Sequence, residues 1–243
     1  MKLTVIGSSP AWPNPGGSHS GYLLEGTRGR LLVDCGPGVL ARLRERDVWP
    51  YVDAIAITHF HLDHWGDLVP WVWGAMYRAR GVAIDDRPDL WVHTGGREVL
   101  ETFGGRFGFT DMFDLVFTVR EYEPEQTFEA AGFDVTPLRL PHYTLETYGF
   151  RLANGATTIA YSGDTGPSDR LAELARDTDL FVCEATLEHG DDDGQPRGHL
   201  SADEAIAAAK ASGTKRLLLT HRPAELGLPA DVECAYDGLE LEL

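Results

Sequence analysis

Short apolar runs alternate with polar turns rich in glycine and proline along most of the chain, and this pattern predicts the elements. Residues 2–6 alternate and are rich in β-branched side chains, the signature of a strand. A loop follows through Pro13, Pro15 and Gly16-Gly17 to Ser20. Residues 22–25 and 30–34 read as a hairpin around Gly26-Thr27-Arg28-Gly29. After the turn Gly36-Pro37-Gly38 the pattern predicts a helix over 39–45 and then a strand over 52–57. Asp34, at the end of its strand, either orients a site residue or caps that helix. Asp63 and His64 are expected to enter a helix that continues toward Trp73 and Tyr77. Trp71, Trp73, Met76 and Tyr77 give this helix a bulky apolar face, read as core packing or a dimer surface, with a substrate wall as the alternative.

Strands are predicted over 89–93, 115–119, 126–130 and 133–138, with a helix over 97–107 interrupted at Gly104-Gly105. A second hairpin joins 148–152 to 157–161, and a helix is expected over 168–175. Residues 179–184 form another strand, and 217–220 a final buried one. Between them the loop 190–198 carries Asp191-Asp192-Asp193 and is expected to be solvated and mobile. Ser201 is an N-cap with Glu204 at the capping-box position of an alanine-rich helix over 202–212. Leu239, Leu241 and Leu243 suggest a weaker terminal strand. Both halves are rich in strands and carry helices, which predicts two sheets packed together with helices outside, in one domain over 1–243. The stretch 71–117 is aromatic-rich, offers no obvious ligand, and is where specificity could vary.

Composition narrows the class. A chain of 243 residues, 43% hydrophobic and 24% charged, is ordinary for a globular protein with a sizeable core. No segment has the apolar length of a membrane span, and the opening residues lack the pattern of a signal peptide. Cys35, Cys183 and Cys234 are too scattered for a disulfide framework, so a reducing cytoplasm is expected. A formal charge of -17 disfavours a simple nucleic-acid binder, although bound metals would add positive charge locally.

The chemistry is concentrated in Thr58-His59-Phe60-His61-Leu62-Asp63-His64, directly after an apolar run. So many groups that resist desolvation need a reason to follow a buried strand, and a metal supplies one. His142, Asp164 and His221 each follow an apolar run of their own. The candidate ligands His59, His61, Asp63, His64, His142, Asp164 and His221 are nitrogen and oxygen donors, with the cysteines outside the pattern. That set fits two ions sharing a bridging carboxylate better than one structural zinc. Nitrogen-rich ligation favours zinc, and manganese or iron are compatible with the same geometry.

In order along the chain, the cluster is followed by Pro141-His142, Tyr161-Ser162-Gly163-Asp164-Thr165, Glu184-Ala185-Thr186, Gly198-His199-Leu200-Ser201 and Leu219-Thr220-His221. With this series the chain resembles a metallo-beta-lactamase-fold hydrolase of the ribonuclease Z-like phosphodiesterase branch, over almost its whole length. The resemblance implies a four-layer αββα sandwich with two mixed sheets face to face. It implies that His59, His61 and His142 hold one metal, that Asp63, His64 and His221 hold the second, and that Asp164 bridges them around a nucleophilic hydroxide. Asp63 would also take part in proton transfer, a duty that competes with ligation for the same lone pairs. His199 marks the phosphodiesterase branch and is read as catalytic or phosphate-binding, the alternative being a helix-start histidine bonded to a loop. Glu184 would orient His199 or Arg222. Of the remaining histidines, His93 is read as structural and His189 as exposed, while His19 lies in a loop near the site mouth and is a candidate to touch substrate, with Gly16-Gly17 as candidate backbone donors to a phosphate.

The branch members that process tRNA grip it with a basic, glycine-rich arm, and no such insertion is present; Lys210, Lys215 and Arg216 are a sparse substitute. The expected substrate is therefore a small or cyclic nucleotide phosphodiester. The alternatives are tRNA 3′ processing, hydrolysis of another ester such as a lactone or sulfate ester, and a non-catalytic metal-binding role. The branch is usually dimeric, so a homodimer is expected.

Overall fold

Alternation along the strands decides which side chains face which layer. The computed structural model describes residues 1–78, 87–227, 229 and 231–243. The first sheet contains β1 (Lys2–Gly7), β2 (Gly21–Glu25), β3 (Arg30–Val33), β4 (Ala54–Ala56), β5 (Asp89–His93) and β6 (Thr118–Tyr122). The second contains β7 (Phe128–Ala130), β8 (Phe133–His142), β9 (Leu145–Asn154), β10 (Thr157–Tyr161), β11 (Leu180–Glu184), β12 (Leu217–Thr220) and β13 (Glu233–Cys234). The terminal strand β14 (Glu240–Glu242) returns to the first sheet, giving the orders β14-β1-β2-β3-β4-β5-β6 and β13-β12-β11-β10-β9-β8-β7. Each sheet is antiparallel over one half and parallel over the other: β3 to β6 run parallel, as do β10 to β13.

In β3, Leu31 and Val33 face the opposite sheet, where they meet residues such as Phe150, Leu152 and Val182, while Leu32 faces outward. The same alternation in β11 sends Leu180 and Val182 inward and Phe181 and Cys183 outward. The outer face of the first sheet is covered by α1 (Val39–Glu45), α3 (Leu68–Arg78) and α4 (Gly96–Arg106), through Leu43, Trp71 and Leu100. The outer face of the second is covered by α5 (Arg170–Leu174) and α6 (Ala202–Ser212), through Leu171, Leu174 and Ala205. Helix, sheet, sheet, helix is the expected αββα sandwich. Full burial of each Leu, Val or Phe in these layers contributes about 1.5–3 kcal/mol. No helix among the described residues is long and apolar enough to cross a membrane.

Several boundaries differ from the sequence pattern. The single helix expected from Asp63 toward Tyr77 is two, α2 (Leu62–Trp65) and α3. Between them Asp67 accepts the backbone N–H of Leu40 at 2.8 Å, serving the start of α1. Asp67, not Asp34, therefore caps that helix. α4 runs through Gly104-Gly105 without a break; a Cβ on Gly104 would lie 2.4 Å from the Phe109 carbonyl oxygen, so the glycine admits the following turn. β6 begins later than expected because Phe117 is still held in a turn by the Phe113 carbonyl at 2.8 Å. β8 passes through Pro137 and Pro141 to reach His142, with β7 covering only its first residues. Both prolines thus lie where the neighbouring strand is missing, the position a strand proline tolerates. The two-residue β13 carries no apolar run and was not anticipated.

In the aromatic-rich stretch, Trp71 is buried in the core while Trp73, Met76 and Tyr77 are exposed. Residues 79–86 of that stretch lie outside the described residues.

Candidate metal centre

Because β8, β10, β11 and β12 point the same way, their carboxyl ends form one edge of the second sheet. His142 ends β8, Asp164 follows β10, Glu184 ends β11 and His221 follows β12. The loop after β4 brings His59 to His64 from the first sheet to meet them. Asp34 and His221 both leave their strands in the left-handed region, with φ of 59° and 53°. Such conformations cost on the order of 1–3 kcal/mol each and cluster at sites the surrounding structure over-determines.

All seven sequence-predicted ligands are brought together. His59, His61, His142 and Asp164 form one group and Asp63, His64, Asp164 and His221 a second, while His221 also meets Glu184 and His199 in a third, each with donor atoms within 4.8 Å of one another. The two oxygens of Asp164 divide between them. Oδ2 faces His59 Nε2 at 3.9 Å and His142 Nε2 at 4.0 Å, and Oδ1 faces His64 Nε2 at 3.2 Å and His221 Nε2 at 3.5 Å. Asp63 Oδ2 lies 3.2 Å from His221 Nε2 and 3.6 Å from His64 Nε2.

Four imidazoles are anchored through Nδ1, which aims Nε2 at the centre. His64 Nδ1 donates to Asp34 at 2.7 Å and His142 Nδ1 to the Gly198 carbonyl at 2.7 Å. The other two use a threonine between ring and carboxylate. Thr58 Oγ1 donates to Asp34 and accepts from His59 Nδ1 at 3.1 Å. Thr186 Oγ1 donates to Glu184 at 2.8 Å and accepts from His221 Nδ1 at 2.9 Å. His61 is reversed, with Nδ1 turned to His142 Nε2 at 2.9 Å. Fixing Nδ1 as the protonated nitrogen leaves the Nε2 lone pair for a cation.

The donor atoms fit a pair of cations on their own evidence. His59 Nε2, His64 Nε2 and Asp164 Oδ1 are buried and lack a hydrogen-bond partner among the described residues. Orphaned buried groups of this kind cost about 1–3 kcal/mol each and call for an explanation. The electrostatics are as tense. Burial, reinforced by the His64 imidazole, drives the pKa of His59 well below the ordinary histidine value. Burial also lowers that of His64, but the carboxylates of Asp164, Asp34 and Asp63 overcome it and raise it well above the ordinary histidine value. Asp164 is pulled well below the carboxylate range, its burial outweighed by the imidazoles of His221 and His64.

His199 stands at the edge of the clusters, its ring 5.0 Å from that of His142 and 5.7 Å from that of His221. Its Nδ1 lies 2.9 Å from Glu184 Oε1. Burial lowers its pKa, but the Glu184 carboxylate more than compensates and it is raised to about 9. Its Nε2 makes no hydrogen bond among the described residues. Glu184 serves His199 and not Arg222, whose guanidinium bonds to the carbonyls of Ala185, Leu226 and Gly227. Arg197 is likewise committed, to Glu204 at 2.7 Å.

Two sequence candidates take other roles, and a third keeps the one expected. Both ring nitrogens of His19 lie 3.2 Å from carbonyl oxygens, those of Pro37 and Ala11, so the ring ties down its own loop. The Gly17 N–H bonds to the Asn14 carbonyl at 2.7 Å and is not free to meet a phosphate. His93 is structural as expected, its ring packed on Phe60 and its Nδ1 on the Thr94 carbonyl. The sequence pattern did not single out Thr58, Thr186 or Tyr161 as orienting groups. Tyr161 donates its hydroxyl to Asp34 at 3.0 Å. The signal present in the sequence was a hydroxyl at a strand end beside a ligand-bearing turn.

The family described as "Beta-lactamase superfamily domain" matches residues 29–222. The chain belongs to the metallo-beta-lactamase superfamily. It is 30% identical over 227 residues to YhfI of Bacillus subtilis, a probable metallo-hydrolase, an alignment covering 92% of this chain and 87% of that protein. The crystal structure of YhfI superposes with a TM-score of 0.83 over 99% of this chain and 98% of that one, at 26% identity. The uncharacterised protein ML1173 of Mycobacterium leprae is 35% identical over 229 residues, covering 92% of this chain and 78% of its own. The short form of human tRNase Z shares the fold, with a TM-score of 0.81, 24% identity and coverage of 100% and 99%. The paired clusters and the superfamily membership support a metal-dependent hydrolase with a dinuclear centre.

Proposed function

We propose that the protein is a phosphodiesterase that hydrolyses a small or cyclic nucleotide phosphodiester. His59, His61 and His142 would hold one ion, Asp63, His64 and His221 the other, and Asp164 both. Two divalent ions there would lower the pKa of a water toward neutrality and polarise a phosphoryl oxygen. The observation that carries the phosphodiester reading is His199, fixed by Glu184 beside the two clusters with its Nε2 free. An ester with a poor alkoxide leaving group needs a proton donor at that place, and an anchored imidazole is one. Asp63, between His64 and His221, would shuttle a proton as well as ligate.

Surface charge supports a compact substrate. The arginines that flank the site in sequence are committed to internal partners, Lys215 and Arg216 are paired with Asp179 and Glu233, and the chain carries -17 overall. Among the described residues a long polyanion would meet no obvious electrostatic grip. The reading includes zinc as the ion, for which the nitrogen-rich donor set argues. It also includes one domain over 1–243, a homodimer using the exposed Trp73 and Tyr77, and a cytoplasmic setting in keeping with three free cysteines.

The test compares cyclic nucleotides, bis(p-nitrophenyl) phosphate and a 3′-extended tRNA on the zinc-loaded protein. Turnover of the first two is expected. Accurate cleavage of the tRNA with inert cyclic nucleotides would overturn the substrate class in favour of tRNA 3′ processing. Turnover confined to a lactone or sulfate ester, or no turnover at all, would overturn the phosphodiesterase reading itself.

A further inference from the structure

β8 and β9 are joined through Tyr143 and Thr144 alone, since His142 pairs with Leu145. Of these two residues only Tyr143 has a positive φ, 49°. A two-residue hairpin with left-handed backbone at its first central position is one that favours glycine there. A bulky side chain at such a φ is an outlier. The turn accounts for the backbone conformation and not for the tyrosine.

The ring is held in a definite place. Its hydroxyl donates to Asp193 Oδ1 at 3.2 Å. The other oxygen of Asp193 accepts the backbone N–H of Gly198 at 2.7 Å and that of His199 at 3.1 Å. The acidic loop expected to be solvated and mobile is therefore tied to the site by this carboxylate, in addition to the Gly198 carbonyl that meets His142. A Cβ built on Gly198 would lie 2.3, 2.4 and 2.5 Å from three consecutive ring atoms of Tyr143. Near-equal spacings to consecutive atoms arise only over the face of a ring, so one face of Tyr143 rests on Gly198. The ring centroid is 4.9 Å from that of His142 and 5.7 Å from that of His199. The side chain is nevertheless 40% exposed. A rigid aromatic plane, backed on one side by Gly198 and belonging to a residue that stays exposed, thus stands beside the candidate proton donor and one ligand cluster.

From this we infer that Tyr143 is a specificity-determining residue: the base of a nucleotide substrate stacks on its exposed face while the phosphodiester occupies the metal centre. The inference rests on the phosphodiesterase reading above and names the aromatic part of the substrate. Stacking on a fixed aromatic plane is tolerant of base identity, so discrimination is between substrates with and without a base. Asp193 is a positioning residue, acting through the Tyr143 hydroxyl and the His199 backbone.

Four forms of the zinc-loaded full chain test this: wild type, Tyr143→Phe, Tyr143→Leu and Tyr143→Gly. The glycine variant suits the turn and guards against misfolding of the leucine one. Calorimetric binding of adenosine 5′-monophosphate is compared with ribose 5-phosphate, and kcat/KM for adenosine 3′,5′-cyclic phosphate with that for the same cyclic phosphate lacking its base. Loss of the ring is expected to weaken the base-bearing ligands roughly 5- to 150-fold and to leave the base-free ones within about twofold. Tyr143→Phe, which keeps the ring and loses its tether to Asp193, retains a base preference that is reduced and not abolished. An equal loss for both ligand types, or no loss, overturns the inference while leaving the phosphodiesterase reading intact if the wild type is active. A wild type inert on every phosphodiester overturns that reading, and base-selective binding then stands or falls on calorimetry alone.

Discussion

Asp34 is fully buried and reaches two of the candidate ligands without belonging to either cluster. Its Oδ2 holds His64 Nδ1, and its contact with Thr58 Oγ1 extends to His59. Asp34→Asn keeps the volume but offers an amide where donors from Thr58, His64 and Tyr161 now converge. Metal affinity, measured by chelator competition, is expected to fall about 10–100-fold, the usual cost of losing an outer partner of a ligand; an unchanged affinity would reject this role. His199→Ala addresses a group on the opposite side of the division between ligation and chemistry. Phosphodiester turnover is expected to fall by about 10²–10⁴ with metal content unchanged by elemental analysis. Loss of metal instead would make His199 a structural support. The grouping of the candidate ligands was legible in the sequence, because burying several histidines and aspartates directly after apolar runs is costly unless a cation meets them. Asp34 was legible only as a position, since a carboxylate beside a turn serves a helix N-terminus or a histidine equally well. The choice depends on Thr58, His64 and Tyr161 meeting in space. Tyr143 was invisible for a similar reason: nothing in the sequence says that its neighbour in the turn is Gly198.

Among the elements, α6 is the one whose sequence signals and structure agree most closely. Ser201 accepts the Glu204 N–H, and Glu204 returns a bond to the Ser201 N–H at 2.9 Å. Ser201→Ala is expected to lower stability by about 1 kcal/mol in urea unfolding, with turnover affected less than stability because His199 is fixed from Glu184 and not from the cap. Glu204 does more than cap. Its carboxylate also grips Arg197, which holds the pKa down at about 2. A folded pKa below the unfolded one, near 4.3, makes a contribution that is complete above the unfolded value and is lost as pH falls through the folded one. The stability difference between wild type and Glu204→Gln should therefore be constant at neutral pH and shrink between about pH 5 and about pH 2. A difference that grows on acidification would contradict the assignment. Boundaries elsewhere escaped the sequence where tertiary contacts set them. Gly66 and Asp67 break a helix because Asp67 is wanted at α1, and Gly104 keeps α4 unbroken because its missing side chain makes room for Phe109.

On the scale of the whole molecule, the centre lies on the seam between the two sheets. His59, His61, Asp63 and His64 come from the loop after β4, while His142, Asp164 and His221 come from the second sheet. The hydrophobic layer between the sheets is shared by both, but it ends at this edge, where polar groups replace it. Apolar packing therefore cannot close the seam there, and orphaned atoms from both sides, His59 Nε2 and His64 Nε2 against Asp164 Oδ1, face one another instead. Cations held between them would satisfy those atoms and tie the sheets together, so binding and folding are coupled. At a free zinc concentration a hundredfold above the dissociation constant, linkage adds about 2.7 kcal/mol per site. For a chain of this size that corresponds to a fall of roughly 5–10 °C in Tm for each ion removed by chelation, read by scanning calorimetry and reversed by adding zinc. The Asp164→Asn variant should show a smaller response than wild type, because it weakens the one side chain common to both groups. A Tm indifferent to chelator in the wild type would mean that the seam is closed by the protein alone, and the proposal of a dinuclear centre would fall with it.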